Sequence, residues 1–315
     1  TFIGDYLEIQ YNFWLTSLSG LNNLNSIGGD FYIMSSAAMT SLTGLDNLNS
    51  IGGDLIIGGN NEMTYISGLN NLATIGGQLS IGANYPLYSI TGLNNLTSIG
   101  ESLEINANYY LRSLSGLNNL ASIGGKLSIN SNVSLTSLTG LDNLTSIGGA
   151  LIIRYNDALT SLSALDKIEA ESIIGLFIEN NISLATCEAE SVCNYLSAPN
   201  DTIAIRNNAT GCNSQEEVKS ACGLSIYENR QSISLNISPN PFSTSAIIEY
   251  ELTKPETVLI IFYNQFGKQV DVIEQMQAHG LNRIIWAPKN LGDGIYYFRL
   301  EAGVKMCSGK VVLMN

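Results

Sequence analysis

The chain has 315 residues, room for two domains or one elongated array, and 35 asparagines, 30 glycines and only 13% charged residues favour the array. With 45% apolar residues it can bury a large core and is not disordered, yet no apolar stretch approaches the ~20 residues of a membrane-spanning helix. The net charge of −13, with 14 scattered lysines and arginines, disfavours nucleic acid and other polyanions as partners. The charge is uneven: residues 1–186 hold 14 acids and 4 bases, residues 187–231 hold 6 and 3, and residues 232–315 hold 7 and 7.

The first segment is a repeat. Leu15-Thr16-Ser17-Leu18 returns at Met39, Met63, Leu87, Leu111, Leu135 and Leu159, a period of 24 residues. A unit places an apolar residue, x, Ile, x, x, Asn, and then an apolar residue at every third position, as in Leu55, Ile57, Asn60, Met63, Ile66, Leu69, Leu72 and Ile75. The single L-x-I step marks one short strand with two side chains on the same face, and the spacing of three marks bends. This predicts an all-β fold, a right-handed parallel β-solenoid of about eight coils over residues 1–186. Asparagines at 12, 60, 84, 108, 132 and 156, and at 23, 47, 71, 95, 119 and 143, are expected to form amide ladders that satisfy turn groups between coils. Gly20 and its repeats, and the Gly-Gly pairs beginning at Gly28, are expected to supply positive φ at the corners. Ile3, Leu7 and Ile9 already sit in solenoid slots with no basic or apolar leader before them. The chain is therefore expected to be a mature form, or a fragment of something longer, whose signal peptide is missing.

The L-x-I-x-x-N step at 24-residue spacing resembles a leucine-rich repeat. The phrase L-x-S-L-S/T-G-L-x-N-L-x-S-I-G-G is more similar to the receptor L domain, the β-helical ligand-binding module of insulin-receptor-type ectodomains. The resemblance covers roughly residues 3–186; the array is more regular than the family and contains no cysteine there, so it implies no specific receptor activity.

Candidate sites on the array belong to three classes. For binding, Phe13-Trp14, Tyr85-Pro86 and Tyr109-Tyr110 follow the ladder position, with Tyr11 and Tyr155 one slot before it, so aromatics stacked along one corner could receive sugar rings or a partner protein. The outward column of the long strand, Glu8, Tyr32, Ile56, Ser80, Glu104, Ser128 and Ile152, varies while the framework repeats, as a recognition face or an unconstrained solvent face would. For catalysis, Asp30 and Asp54 share a slot on adjacent coils, about 4.8 Å apart, a geometry a β-helix polysaccharide-degrading enzyme could use but one that solvated turn aspartates produce equally well. For ice binding, paired hydroxyls such as Ser41/Thr43 and Ser137/Thr139 form two ranks, interrupted by Tyr65. The sole histidine, His279, lies outside the array, and no nucleophile elbow, phosphate loop or zinc-protease motif is present. The reading is a binding module with an extracellular protein or glycan ligand, no enzyme activity, no cofactor and no metal.

Cys187, Cys193, Cys212 and Cys222 close the array, around helix-like Glu188–Leu196, strand-like Thr202–Arg206 and helix-like Gln215–Ala221. An open solenoid end must be covered, and a disulfide-stapled α/β cap over 187–224 does so. Of three pairings, Cys187–Cys193 with Cys212–Cys222 is favoured; the spacing without histidine is poor for zinc. Disulfides imply an oxidising, extracytoplasmic compartment.

A linker over 225–231 leads to a module at 232–315. There seven alternating runs, Ile233–Ile237, Ala246–Leu252, Thr257–Tyr263, Lys268–Glu274, Asn282–Trp286, Gly294–Glu301 and Lys305–Leu313, predict an Ig-like β-sandwich. Ser238-Pro239-Asn240-Pro241-Phe242, the Tyr263-Asn264-x-x-Gly267 hairpin, Trp286, Gly294-Ile295-Tyr296-Tyr297-Phe298 and Lys310-Val311-Val312-Leu313 resemble, in order, the type A C-terminal sorting domain of the type IX secretion system. That resemblance implies outer-membrane translocation in a Gram-negative bacterium through the secretion machinery, then removal of the module and surface attachment or release. Cys307 and the terminal Met314-Asn315 depart from the family pattern.

Overall fold

The computed structural model describes residues 1–224, 233–303 and 305–314 and divides into two compact units, 1–225 and 226–315. The linker expected at 225–231 lies outside the described residues.

The first unit is a parallel β-solenoid. Its long strands run from Leu7–Gln10 through Phe31–Met34, Leu55–Gly58, Leu79–Gly82, Leu103–Asn106, Leu127–Asn130, Ala150–Arg154 and Gly175–Glu179 to Ile203–Arg206, and they form one nine-stranded sheet. We number the coils one to nine by these strands. A second sheet of seven two-residue strands, from Phe2–Ile3 to Ser146–Ile147, lines another side. Register advances by one repeat per coil, with Leu103 and Ile105 beside Leu127 and Ile129. That fixed register stacks like on like, so the seven apolar side chains of coil five, Leu103, Ile105, Leu111, Leu114, Leu117, Leu120 and Ile123, are all buried. The solenoid has about nine turns because the strand expected inside the cap, at 202–206, pairs with Gly175–Glu179 and extends the long sheet.

The inner amide ladder works as a relay. Asn84 donates through Nδ2 to the Ile57 carbonyl at 3.0 Å, while its own backbone N–H donates to Asn108 Oδ1 at 3.2 Å; Asn60, Asn108, Asn132 and Asn156 repeat the pattern. Ser36 takes the slot in coil two and its N–H donates to Asn60 Oδ1. Asn12, at the exposed first coil, turns back and donates to the Gln10 carbonyl. The outer ladder is exposed and donates across coils, Asn95 Nδ2 to the Asn70 carbonyl at 2.6 Å for example.

The glycines divide into two kinds. Gly44, Gly68, Gly116 and Gly140 adopt positive φ as expected, whereas Gly20 and Gly92 lie in short 3-10 turns, Ser19–Leu21 and Thr91–Leu93, and do not. The Gly-Gly pairs do not: a Cβ on Gly76 would lie 2.2 Å from the Gly52 carbonyl oxygen, so this column is glycine because backbones of consecutive coils approach too closely for a side chain. Left-handed backbone falls instead on the residue before the inner ladder, at Tyr11, Ser35, Gly59, Ala83, Ala107, Ser131, Tyr155, Asn180 and Asn207.

Helices α1 (Glu190–Ser197) and α2 (Gln215–Ala221) cover the last coils. The expected pairing of cysteines is corrected: the disulfides are Cys187–Cys212 and Cys193–Cys222. Cys187 occupies a core slot of coil eight, and Cys212 lies 25 residues on, one coil further, so the bond staples adjacent turns. Cys193 faces Cys222 because α1 and α2 pack together. A Cys187–Cys193 bond would have had to turn a core side chain out toward the helix.

The second unit contains two antiparallel sheets around one core. Leu235–Ser238, Ala246–Leu252 and Gly280–Trp286 form a three-stranded sheet, and Gln269–Gln277, Glu256–Tyr263, Gly294–Ala302 and Lys305–Leu313 form a four-stranded one. Trp286 stacks on Phe262 with centroids 4.0 Å apart, and its Nε1 donates to Asp271. Asn240 ties the start of the module to its end: its Oδ1 accepts from the Val312 N–H at 2.8 Å and its Nδ2 donates to the Lys310 carbonyl. Both flanking prolines, Pro239 and Pro241, follow cis peptide bonds. The Tyr296 hydroxyl donates to the Gly292 carbonyl, bracing the turn before Gly294.

Candidate binding surface

The outer face of the long sheet is built by strand alternation: inward Leu and Ile hold the coil, and each strand leaves two outward residues. One column carries Tyr32, Ile56, Ser80 and Glu104 side by side. Glu104 is held by Lys126 Nζ at 2.8 Å. Sequence reasoning overlooked the second outward column, Gln10, Met34, Gly58, Gly82, Asn106, Asn130, Arg154, Glu179 and Arg206, whose alternation was equally legible. Gly58 and Gly82 leave it without side chains at coils three and four. At coils seven to nine Glu179, 4% exposed, bridges Arg154 and Arg206 at 2.6 Å each, and the Arg154 guanidinium lies 5.1 Å from the Phe177 ring centre. This end of the face is an ordered charge cluster with neighbours on every coil.

The aromatic corner is not one continuous row. Tyr85 and Tyr109, one coil apart, meet with ring centres 5.3 Å apart, and Tyr88, absent from the expected set, meets Tyr110 at 5.5 Å. Tyr155 joins Tyr109 around a hollow of about 290 Å³ that Ser131, Val133 and Asp157 complete. Phe13 and Trp14 stand apart on coil one, where Phe13 touches Tyr11 and Trp14 is 92% exposed. Another surface that the motif reading did not single out is a shallow trough of about 960 Å³ along the short sheet, where Ser or Thr, Ile and Gly recur on each rung.

Asp30 and Asp54 are brought together, but as connectors between coils. Asp30 Oδ1 accepts from the Asp54 N–H at 2.8 Å, Asp54 Oδ1 accepts from the Gln78 N–H at 2.7 Å, and the Tyr32 hydroxyl donates to Asp30 Oδ2. The Asp54 amide, and then the Tyr32 hydroxyl, hold the Asp30 carboxyl below the ordinary carboxylate range. The hydroxyl ranks pair within their own coils, Ser41 with Thr43 at 3.0 Å and Ser137 with Thr139 at 2.6 Å. Among the described residues no helix is long and apolar enough to cross a membrane.

No curated protein matches the chain. Two family models do: the Receptor L domain over residues 97–222, which includes coils five to nine and both helices, and the Secretion system C-terminal sorting domain over residues 236–314, the two antiparallel sheets. Together with the stacked coils and the Asn240-anchored module, these matches indicate a secreted or cell-surface protein in which a β-solenoid, similar to the Receptor L domain over residues 97–222, is followed by a type IX C-terminal sorting domain.

Proposed function

We propose that the chain is a recognition or adhesion protein of a Gram-negative cell surface, exported first through a signal peptide and then through its sorting domain. The solenoid binds an extracellular protein or glycan and catalyses no reaction. The observation that carries the reading is the contrast between columns. Inward positions repeat Leu and Ile coil after coil, whereas the outward column runs Glu8, Tyr32, Ile56, Ser80, Glu104, Ser128 and Ile152, with no two consecutive coils alike. A stacked scaffold holds such side chains at fixed 4.8 Å steps and offers an extended surface. The non-catalytic part rests on the Asp30–Asp54 pair. A glycosidic general acid needs a raised pKa, and Asp30 is held low while both carboxylates are engaged by the next coil's amides.

The test has two arms. Deleting residues 232–315 should abolish surface delivery in the native host, measured by protease shaving of intact cells; unchanged delivery refutes the export role. Ile56→Arg, on the third of the nine long strands, should reduce retention of the full chain on its target surface without changing its melting curve. Unchanged retention removes the sheet face from the binding surface.

A further inference from the structure

We propose that the hollow between Tyr109 and Tyr155 is a subsite for a pyranose ring of a neutral polysaccharide, and that Tyr85, Tyr88 and Tyr110 extend it along the solenoid axis. The inference rests on the recognition reading above and names its ligand. The hollow is lined by two tyrosines, 40% and 50% exposed, by the exposed Val133, and by two polar side chains, Ser131 and Asp157. Its volume of about 290 Å³ is at the bottom of the range for small-molecule sites, suited to one sugar unit. Mostly apolar walls with a few fixed acceptors match a ring that has a C–H face and a hydroxyl edge. Ser131 Oγ donates to Asn130 Oδ1, which fixes the hydroxyl and leaves its lone pairs outward as acceptors. The Asp157 carboxylate supplies two further acceptor oxygens.

The backbone reinforces the assignment. Tyr155 has φ of 53° in a column where coils two to six carry serine, glycine, alanine, alanine and serine, and it shares a left-handed tyrosine only with Tyr11 of coil one. A bulky side chain in left-handed backbone is costly, and such outliers point to function. Nothing in the coil's geometry requires tyrosine there, since Ala83 and Ala107 build the same turn.

The strip also selects against charged ligands. From coil four to coil seven it rises about 14 Å, long enough for several sugar units, and the two-coil step between Tyr109 and Tyr155 is close to the length of a disaccharide. Asp157 is the only ionised group lining the hollow, and Arg112 is the single cation in the Tyr88 column. A polyanion would find one cation and one repelling carboxylate.

The repeat itself supplies safe substitutions. Ala37 occupies the Tyr109 slot in coil two, Ala107 the Tyr155 slot in coil five, and Ala38 the Trp14 slot. The full chain is run by affinity electrophoresis through gels containing laminarin, xylan, galactomannan or, as the polyanion, alginate. At least one neutral polysaccharide should retard it, and Tyr109→Ala and Tyr155→Ala should each weaken retardation by about ten-fold or more, as anchor residues do. Trp14→Ala should leave it unchanged. Retardation that survives both tyrosine substitutions overturns the subsite and leaves the recognition reading standing, as does retardation by alginate alone. Retardation by none of the four overturns the proposal. If the chain instead captures a surface protein in a manner that Tyr109→Ala abolishes, the corner binds but its ligand class is protein, and the glycan assignment falls.

Discussion

Replacing Asn108 by alanine tests the inner ladder where it is most enclosed. Asn108 is fully buried. Its Nδ2 donates to the Ile81 carbonyl at 2.9 Å, and its Oδ1 accepts from the Asn84 N–H at 3.2 Å. Truncation removes the acceptor of a buried N–H, which costs about 1–3 kcal/mol, and a donor to a buried carbonyl, worth about 1 kcal/mol more. The weaker Asn84 side-chain bond and the small void add to this, giving about 2–5 kcal/mol. That is a large part of the 5–15 kcal/mol typical of a folded domain. Asn12 is the internal control, because it is exposed and donates only to Gln10 of its own coil; Asn12→Ala should cost about 0.5 kcal/mol or less. Urea denaturation followed by far-ultraviolet circular dichroism measures both, and amide hydrogen exchange at Asn84 and its neighbours locates the loss. Equal destabilisation by the two substitutions, or unaltered protection at Asn84 in Asn108→Ala, would refute the relay.

Gly76→Ala forces a Cβ to 2.2 Å from the Gly52 oxygen, whereas Gly20 has open space around it; the first substitution should cost about 2–3 kcal/mol or more and Gly20→Ala almost nothing, read from thermal melts. Non-reducing peptide mapping should recover Cys187 linked to Cys212 and Cys193 linked to Cys222. Replacing the Cys187–Cys212 pair by serines should cost about 3.5 kcal/mol from the loop it closes, measured as a shift of the urea midpoint; cross-links to neighbours in sequence would overturn the pairing. Burial pushes the Tyr250 hydroxyl up to about 12 and the Cys307 thiol up to about 11. The folded sorting domain thus keeps protons that the unfolded chain releases from about pH 9 upward, so its stability is unaffected below pH 9 and falls as pH rises from 9 to 12. Tyr250 accounts for about 1 kcal/mol of that loss at pH 11, and Tyr250→Phe, which also deletes a buried hydroxyl without a partner, should flatten this alkaline limb in unfolding followed by Trp286 fluorescence. An unchanged slope would show that the hydroxyl ionises freely in the folded state.

The amino-acid order alone determined the solenoid, its 24-residue register, its inward columns, the order of the sorting strands and the motif that Asn240 anchors. In a stack each residue's neighbours are its own equivalents one repeat away, so periodicity in one dimension specifies contacts in three. The same logic could have found the Cys187–Cys212 bond, since their separation of 25 residues is close to one repeat and equals the step from Leu151 to Leu176. Tertiary structure decided what depends on distance between backbones or on side-chain direction. Gly76 is required by the approach of Gly52, a contact invisible to φ preferences. Tyr85 and Tyr88 lie three residues apart yet join different partners, Tyr109 and Tyr110, because the corner turns between them. Asp30 and Asp54 share a slot that could serve catalysis or structure, and only the amides of Asp54 and Gln78, pointing back from the next coil, show how their oxygens are used.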